Sequence, residues 1–280
     1  MIRIVSDTTT GLSRELAAQH GIDLVSQVVM FGAETLRDGV DITNEVFLQR
    51  LKMSKEFPTT SQPPVGDFVE VFKRQLDAGH EILCITVSSL LSGTYNSAAQ
   101  AKEQLGSDRI TLVDSRHVAT AEALLVLEAA HRVQAGQEVA AIVARLDEMI
   151  PKMRMDFVLD TLEYLAKGGR IGGAQAFVGT LLQMKPILTI ANGRVEPLER
   201  VRTKAKAVAR LRDIVDAAVR GKRKIYLGVT HTGLPTAAAA LSAEFCQTYN
   251  LDESLVIEMP PAVAAHTGPG ALGAAYYAED

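Results

Sequence analysis

Ile82-Leu83-Cys84-Ile85-Thr86-Val87-Ser88-Ser89-Leu90-Leu91-Ser92-Gly93-Thr94 opens as an almost unbroken apolar run and ends in serines, a glycine and a threonine. A short apolar run bounded by turn residues is the pattern of a strand buried on both faces. A helical stretch follows Thr94, and another strand is predicted over 110–113, ending in Asp114-Ser115. Upstream, Ile2-Arg3-Ile4-Val5 alternates as a strand and runs into Ser6-Asp7-Thr8-Thr9-Thr10-Gly11, then a helix over 13–20. Strands separated by helices pair in parallel through right-handed crossovers, so the first half reads as a doubly wound sheet. Ligands bind beyond the carboxyl ends of such strands. Ser6-Asp7-Thr8, the 88–94 loop and Asp114-Ser115 are therefore expected to share one neighbourhood.

The rest of the first half fits this frame. Segments 24–31 and 36–42 read as a pair of extended stretches, and Thr43 can cap an amphipathic helix over 44–54 through its hydroxyl. The stretch Phe57-Pro58-Thr59-Thr60-Ser61-Gln62-Pro63-Pro64 carries too many prolines and hydroxyls for a regular element. A helix over 66–78 and two long helices over 119–134 and 138–150 complete the half.

The second half has another texture. After a short extended 157–159 come a helix over 162–167 and the glycine-rich link Gly168-Gly169-Arg170-Ile171-Gly172-Gly173. Asn192-Gly193 between 187–190 and 194–198 signals a hairpin, because both residues tolerate positive φ. Helices over 204–219 and 235–249 alternate with strands over 225–229 and 255–258. This predicts a mixed or antiparallel sheet with helices on one face. The domains are expected at 1–153, a Rossmann-like α/β unit, and 154–280, a second α/β unit.

Composition excludes several function classes. Hydrophobic residues make up 47% of the 280 residues, charged residues 22%, and the net charge is −4. An acidic balance of this size argues against a nucleic-acid surface. The first residues read as a strand and not as a signal peptide, and there is no apolar run long enough for a membrane span. Cys84 and Cys246 form no CxxC pair or metal spacing; both are expected to be buried free thiols in a cytoplasmic protein, Cys84 in a strand and Cys246 in a helix. The six histidines are scattered, and there is no P-loop or dinucleotide fingerprint. No metal, nucleotide or cofactor site is expected.

Some polar residues invite chemistry. Hydroxyls at Thr59-Thr60-Ser61 and Ser92-Gly93-Thr94 can hold an anion or simply cap helices. His-Thr-Gly occurs twice, at His231 and His266, the second inside the small-residue turn Ala265-His266-Thr267-Gly268-Pro269-Gly270-Ala271-Leu272-Gly273. Ser92 and His266 suggest a nucleophile and base, but Leu91-Ser92-Gly93 lacks the nucleophile-elbow pattern. In Arg200-Val201-Arg202 the two guanidinium groups are expected on opposite faces, one toward a pocket and the other toward solvent, or else both in solvent, while Lys167 and Arg170 read as exposed.

Taken in order, Ser6-Asp7-Thr8, Thr59-Thr60-Ser61-Gln62-Pro63, Leu91-Ser92-Gly93-Thr94-Tyr95, Val113-Asp114-Ser115, Leu162 to Ile171, Lys185-Pro186-Ile187-Leu188, Val201-Arg202-Thr203 and His266 to Gly273 resemble the DegV family of bacterial fatty-acid-binding proteins across essentially the whole chain. The resemblance implies a two-domain α/β fold with a long-chain fatty acid in a tunnel between the domains. It implies a non-catalytic protein that presents the bound carboxylate to a separate ATP-dependent fatty acid kinase for acyl-phosphate formation. By the same resemblance Thr60, Ser61, Ser92, Gly93, Arg202, His266 and Thr267 surround the carboxylate, and Arg170 is a surface contact for the kinase. The family pattern has glycines where this chain has His117-Val118-Ala119-Thr120-Ala121-Glu122-Ala123. Side chains there are expected to narrow the tunnel, with Glu122 an unexpected polar group if it faces inward.

Overall fold

The computed structural model describes residues 1–54, 56–177 and 184–280. The first half carries β1 (Ile2–Asp7), α1 (Arg14–Gln19), β2 (Ile22–Val25), β3 (Val28–Phe31), β4 (Glu34–Arg37), α2 (Asn44–Met53), β5 (Thr59–Ser61), α3 (Val65–Asp77), β6 (Glu81–Thr86), α4 (Thr94–Leu105), β7 (Ile110–Asp114), α5 (Thr120–Gln134) and α6 (Val139–Met149). The second half begins at the next strand. It carries β8 (Arg154–Val158), α7 (Glu163–Lys167), β9 (Lys185–Ala191), β10 (Arg194–Val201), α8 (Lys204–Val219), β11 (Lys224–His231), α9 (Pro235–Thr248), β12 (Glu253–Glu258), α10 (Pro261–Thr267) and β13 (Leu272–Glu279).

Among the described residues the strands form three sheets. One is parallel throughout, in the order β2-β1-β6-β7. A larger sheet runs β10-β9-β8-β13-β11-β12, with β11 and β12 parallel and the other neighbours antiparallel. A small antiparallel sheet, β4-β3-β5, stands beside them. The α/β architecture read from the sequence is thus the architecture found.

The apolar run that opens the sequence reading explains the layers. Ile82 and Cys84 of β6 pack with Phe68 and Phe72 of α3 and Ala98 of α4, whereas Leu83 and Ile85 face α5. Alternate side chains of a strand point to opposite faces, and here both faces are covered. Residues Thr120 to Ala130 of α5 are all buried, because this helix also packs on β8, β11 and β13 of the larger sheet. Helices α8 and α9 cover that sheet's far side, where Leu211, Val215, Leu241 and Phe245 meet Leu227, Val229 and Ala274. Helices α8 and α9 lie together on one face, as predicted, whereas α7 and α10 pack elsewhere, α10 against α7, α2 and the small sheet. The larger sheet's other face is covered by a helix from the first half.

Three other expectations change. Thr59–Ser61, read as irregular, forms β5 against Val28–Met30 of β3; Pro58 and Pro63 bound the stretch and keep the strand short. The extended pair of the first half is β3 with β4, closed at Gly32-Ala33 and ending at Arg37. The last segment, read as a turn, holds α10 and then β13, which lies between β8 and β11. The hairpin forms as predicted, with positive φ at Asn192 and Gly193. Of the two free thiols, Cys84 is buried in β6 as expected, whereas Cys246 is exposed on α9.

Candidate ligand-binding site

A pocket opens beyond the carboxyl ends of β1 and β6, between that sheet edge and the face of β8 and β9, with β5 and α10 along its side. It holds about 760 Å³ of space outside atoms, mouth included. One part of its wall is apolar, built from Val87, Leu91, Val118, Met155, Phe157 and Ile190. Thr60, Ser92, Arg170 and His266 form the polar part. Arg170 is the one lysine, arginine, aspartate or glutamate among the described residues lining it.

The three loops expected to meet do meet. Asp7 Oδ2 accepts from the Val87 amide at 3.0 Å. The Ser115 amide donates to Thr86, and the Ser88 amide to the His117 carbonyl. Ser88 also reaches across to the hairpin, donating its hydroxyl to the Gly193 carbonyl at 2.8 Å.

His266, at the end of α10, sits 2.7 Å through Nε2 from Thr60 Oγ1 of β5. A β-carbon on Gly168 would lie 2.1 Å from His266 Nδ1, so the glycine there makes room for the ring. Burial, with the Arg170 guanidinium adding to it, pulls the imidazole down to about 4, so the ring is neutral near pH 7. Nδ1 is buried and has no hydrogen-bond partner. Buried orphan N–H groups are rarer than orphan acceptors, which favours the tautomer with the proton on Nε2, donated to Thr60. The Thr60 hydroxyl hydrogen is then left for a ligand.

Ser92 follows the same logic from the other side. Its Oγ accepts from the Thr94 amide at 3.3 Å and lies 2.8 Å from Thr94 Oγ1. Arg170 is half-buried, and its guanidinium is fixed by the carbonyls of Leu91 at 3.1 Å and Gly168 at 2.7 Å. A fixed cation and two hydroxyls at one end of an apolar pocket can hold an anionic head with its hydrocarbon tail beyond. Ser92 is bonded to Thr94, and His266 to Thr60, so no nucleophile–base pair is assembled between Ser92 and His266.

A family model described as "Uncharacterised protein, DegV family" matches residues 1–279. The chain belongs to the DegV family. A solved DegV-family structure from Thermus thermophilus, described by its fatty acid binding, shares 35% identity, covers 99% of each chain and superposes with a TM-score of 0.93. DegV of Bacillus subtilis, described as a fatty acid binding protein, shares 32% identity over 99% of each chain at a TM-score of 0.90. A stearic acid-binding protein from Eubacterium ventriosum shares 27% identity, with 100% of this chain and 99% of that chain covered, at a TM-score of 0.92.

In this DegV-family chain the residues singled out from sequence divide into groups. Thr60, Ser61, Ser92, His266 and Thr267 all line the pocket. Ser61 is exposed at the mouth, and the Thr267 hydroxyl turns back, 3.4 Å from the Val263 carbonyl and the Met259 sulfur. Gly93 caps α4 behind the wall, where a β-carbon would strike the Gln62 side chain. Arg202 is exposed and is not brought to the pocket among the described residues. Arg200 lies in β10 and Arg202 just beyond its end, and both are exposed, so the expected split of the pair between pocket and solvent does not arise. Arg170 departs from its expected surface place and lines the pocket.

Glu122 does not face the pocket. Its carboxyl is fully buried, with Oε2 2.7 Å from Thr9 Oγ1. Burial, with Asp7 close by, pushes it well above the usual carboxylate range, so it is a neutral acid in the interior. Val118 and Ala119, in the stretch expected to narrow the tunnel, do line the pocket. Ala119 adopts φ 54 and ψ −136, a conformation that glycine takes far more readily.

Sequence reading missed Thr9, Gln27 and Gln62, which also line the pocket. Gln62 lay inside a recognised motif and Thr9 beside another. Gln27 carried no signal, since it sits between two short strands within an extended stretch.

Proposed function

We propose that this chain binds a long-chain fatty acid, with the carboxylate at Thr60, Ser92, Arg170 and His266 and the acyl chain along Val87, Leu91, Met155, Phe157 and Ile190. The observation that carries this reading is one pocket with hydroxyl donors and a single fixed guanidinium at one end and apolar side chains at the other. The fatty acids described for its relatives support it. Burying the tail supplies on the order of 10 kcal/mol before association costs, at about 0.8 kcal/mol per methylene. Each hydrogen bond to the charged head adds roughly 1.5–3 kcal/mol. The tail sets affinity and the head sets orientation.

On this reading the protein works in the cytoplasm as a carrier and not as a catalyst. It presents the carboxylate to a separate ATP-dependent kinase for acyl-phosphate formation, feeding phospholipid synthesis. Arg170 belongs both to the pocket wall and to the link after α7, so a partner that pressed on the link would reach the head group.

Organic extraction of purified protein, read by mass spectrometry, is expected to release close to one long-chain fatty acid per chain. Thr60→Val and Ser92→Ala are each expected to weaken binding of added fatty acid about tenfold. Arg170→Glu is expected to block transfer of phosphate from ATP by the kinase while bound lipid is still recovered. An extract without fatty acid, together with ester hydrolysis lost in Ser92→Ala, would instead make the protein a hydrolase.

A further inference from the structure

From Gln27 to Ser92 along the pocket wall runs a chain of hydrogen bonds whose direction is set by the hydrogens each group has to give. Gln27 is buried, and its Nε2 lies 3.0 Å from Asp7 Oδ1 and 2.8 Å from Thr94 Oγ1. Asp7 accepts besides from the Thr9 amide at 3.0 Å on Oδ1 and the Val87 amide at 3.0 Å on Oδ2. These N–H donors, with Gln27, make the carboxyl an acceptor on both oxygens without counting the Thr9 hydroxyl, whose one hydrogen lies between Asp7 Oδ1 and Glu122 Oε2. Turning the Gln27 amide round would put Oε1 against Asp7 Oδ1, acceptor on acceptor, so the amide orientation is fixed. Gln27 therefore gives one hydrogen to Asp7 and the other to Thr94.

The consequence runs outward. With Gln27 donating to it, Thr94 Oγ1 sends its own hydrogen to its other neighbour, Ser92 Oγ, at 2.8 Å. Ser92 Oγ already accepts from the Thr94 amide. Both lone pairs of the serine oxygen are then used, and what remains is its hydrogen, on a residue that lines the pocket.

We propose that Gln27 is a positioning residue: it fixes Ser92 as a hydrogen-bond donor to the ligand head and so selects an ionised head group over a neutral one. This rests on the fatty-acid reading above and adds what selects the head. An acceptor-only carboxylate gains the full charge-assisted bond from a donor already aligned. A fatty alcohol, neutral and itself a donor, gains less.

The test uses lipid-free full-length protein and displacement of a fluorescent fatty acid by stearate and by stearyl alcohol. The unaltered protein is expected to prefer stearate. Gln27→Met is expected to lower the stearate-to-alcohol preference about tenfold, through stearate affinity alone. Thr94→Val removes the next member of the relay and is expected to lower it to the same extent; it serves alone if Gln27→Met does not fold. The double variant is expected to be no worse than either single one, because both cut one chain of bonds. Equal loss of both ligands in the single variants would make the role merely structural and overturn the proposal. Multiplying effects in the double variant would overturn it as well. Failure of the unaltered protein to take up stearate would overturn the fatty-acid reading itself.

Discussion

His266 shows how one side chain's surroundings set its chemistry. Its ring is closed in by Gly168 and Thr60, and it titrates near 4, below the 6.5 of an ordinary histidine. Between those values the unfolded chain binds the proton and the folded chain does not. Stability from this group is therefore complete above about pH 6.5 and lost as pH falls toward 4, by up to about 3 kcal/mol. His266→Gln keeps a partner for Thr60 but cannot titrate. The gap between the urea midpoints of the two proteins is expected to move in favour of the variant from pH 7.5 to pH 4.5; a constant gap would show that the ring is not held neutral. Ala119 is a second residue-scale feature, with roughly 1–3 kcal/mol of backbone strain stored in the pocket wall.

Among the elements, α5 does the most to join the molecule. A helix buried on every side from Thr120 to Ala130 must have partners all round. It finds them in both large sheets. Contact with β11 depends on Gly228, where a β-carbon would come within 2.2 Å of Thr120 Cγ2. Gly228→Val is expected to push α5 off the sheet and destabilise the protein by about 1–3 kcal/mol, measured as a lower denaturant midpoint. An unchanged midpoint would show that the layers tolerate separation. The helix itself was legible in the sequence from its length and its many apolar residues. Its double contact was not, because a helix that is mostly apolar on every side names no partner. Strands β5 and β13 illustrate the other limit. Thr59–Ser61 is polar and short, and Gly273-Ala274-Ala275 lacks the branched residues that mark a strand; both are strands because β3, β8 and β11 offer them an edge.

At the scale of the whole molecule, one apolar core contains Ile4 and Leu83 of the parallel sheet, Leu125 of α5, and Met155, Leu188 and Tyr277 of the larger sheet. A shared core couples the halves, so unfolding is expected as one transition, with far-ultraviolet circular dichroism and tyrosine absorbance coinciding. Two separated transitions would show that the halves are independent. The site is an equally collective product. Residues 60 and 266 meet through a 2.7 Å contact, and Gln27 reaches Thr94 across 67 positions of sequence.

By itself the sequence determined the parallel sheet, the helices between its strands, the Asn192-Gly193 hairpin and the hydroxyl loops that line the pocket. Those follow from patterns a few residues long, since strand alternation, helix periodicity and turn conformation are local. Tertiary structure alone decided that β13 lies inside the larger sheet, that Arg170 lines the pocket while Arg202 stays in solvent, and that Glu122 turns away from it. It alone also linked Gln27 to Ser92 through Thr94. Burial on a second face and the direction of a buried hydrogen bond depend on groups distant in the chain, and only the folded packing brings them within reach.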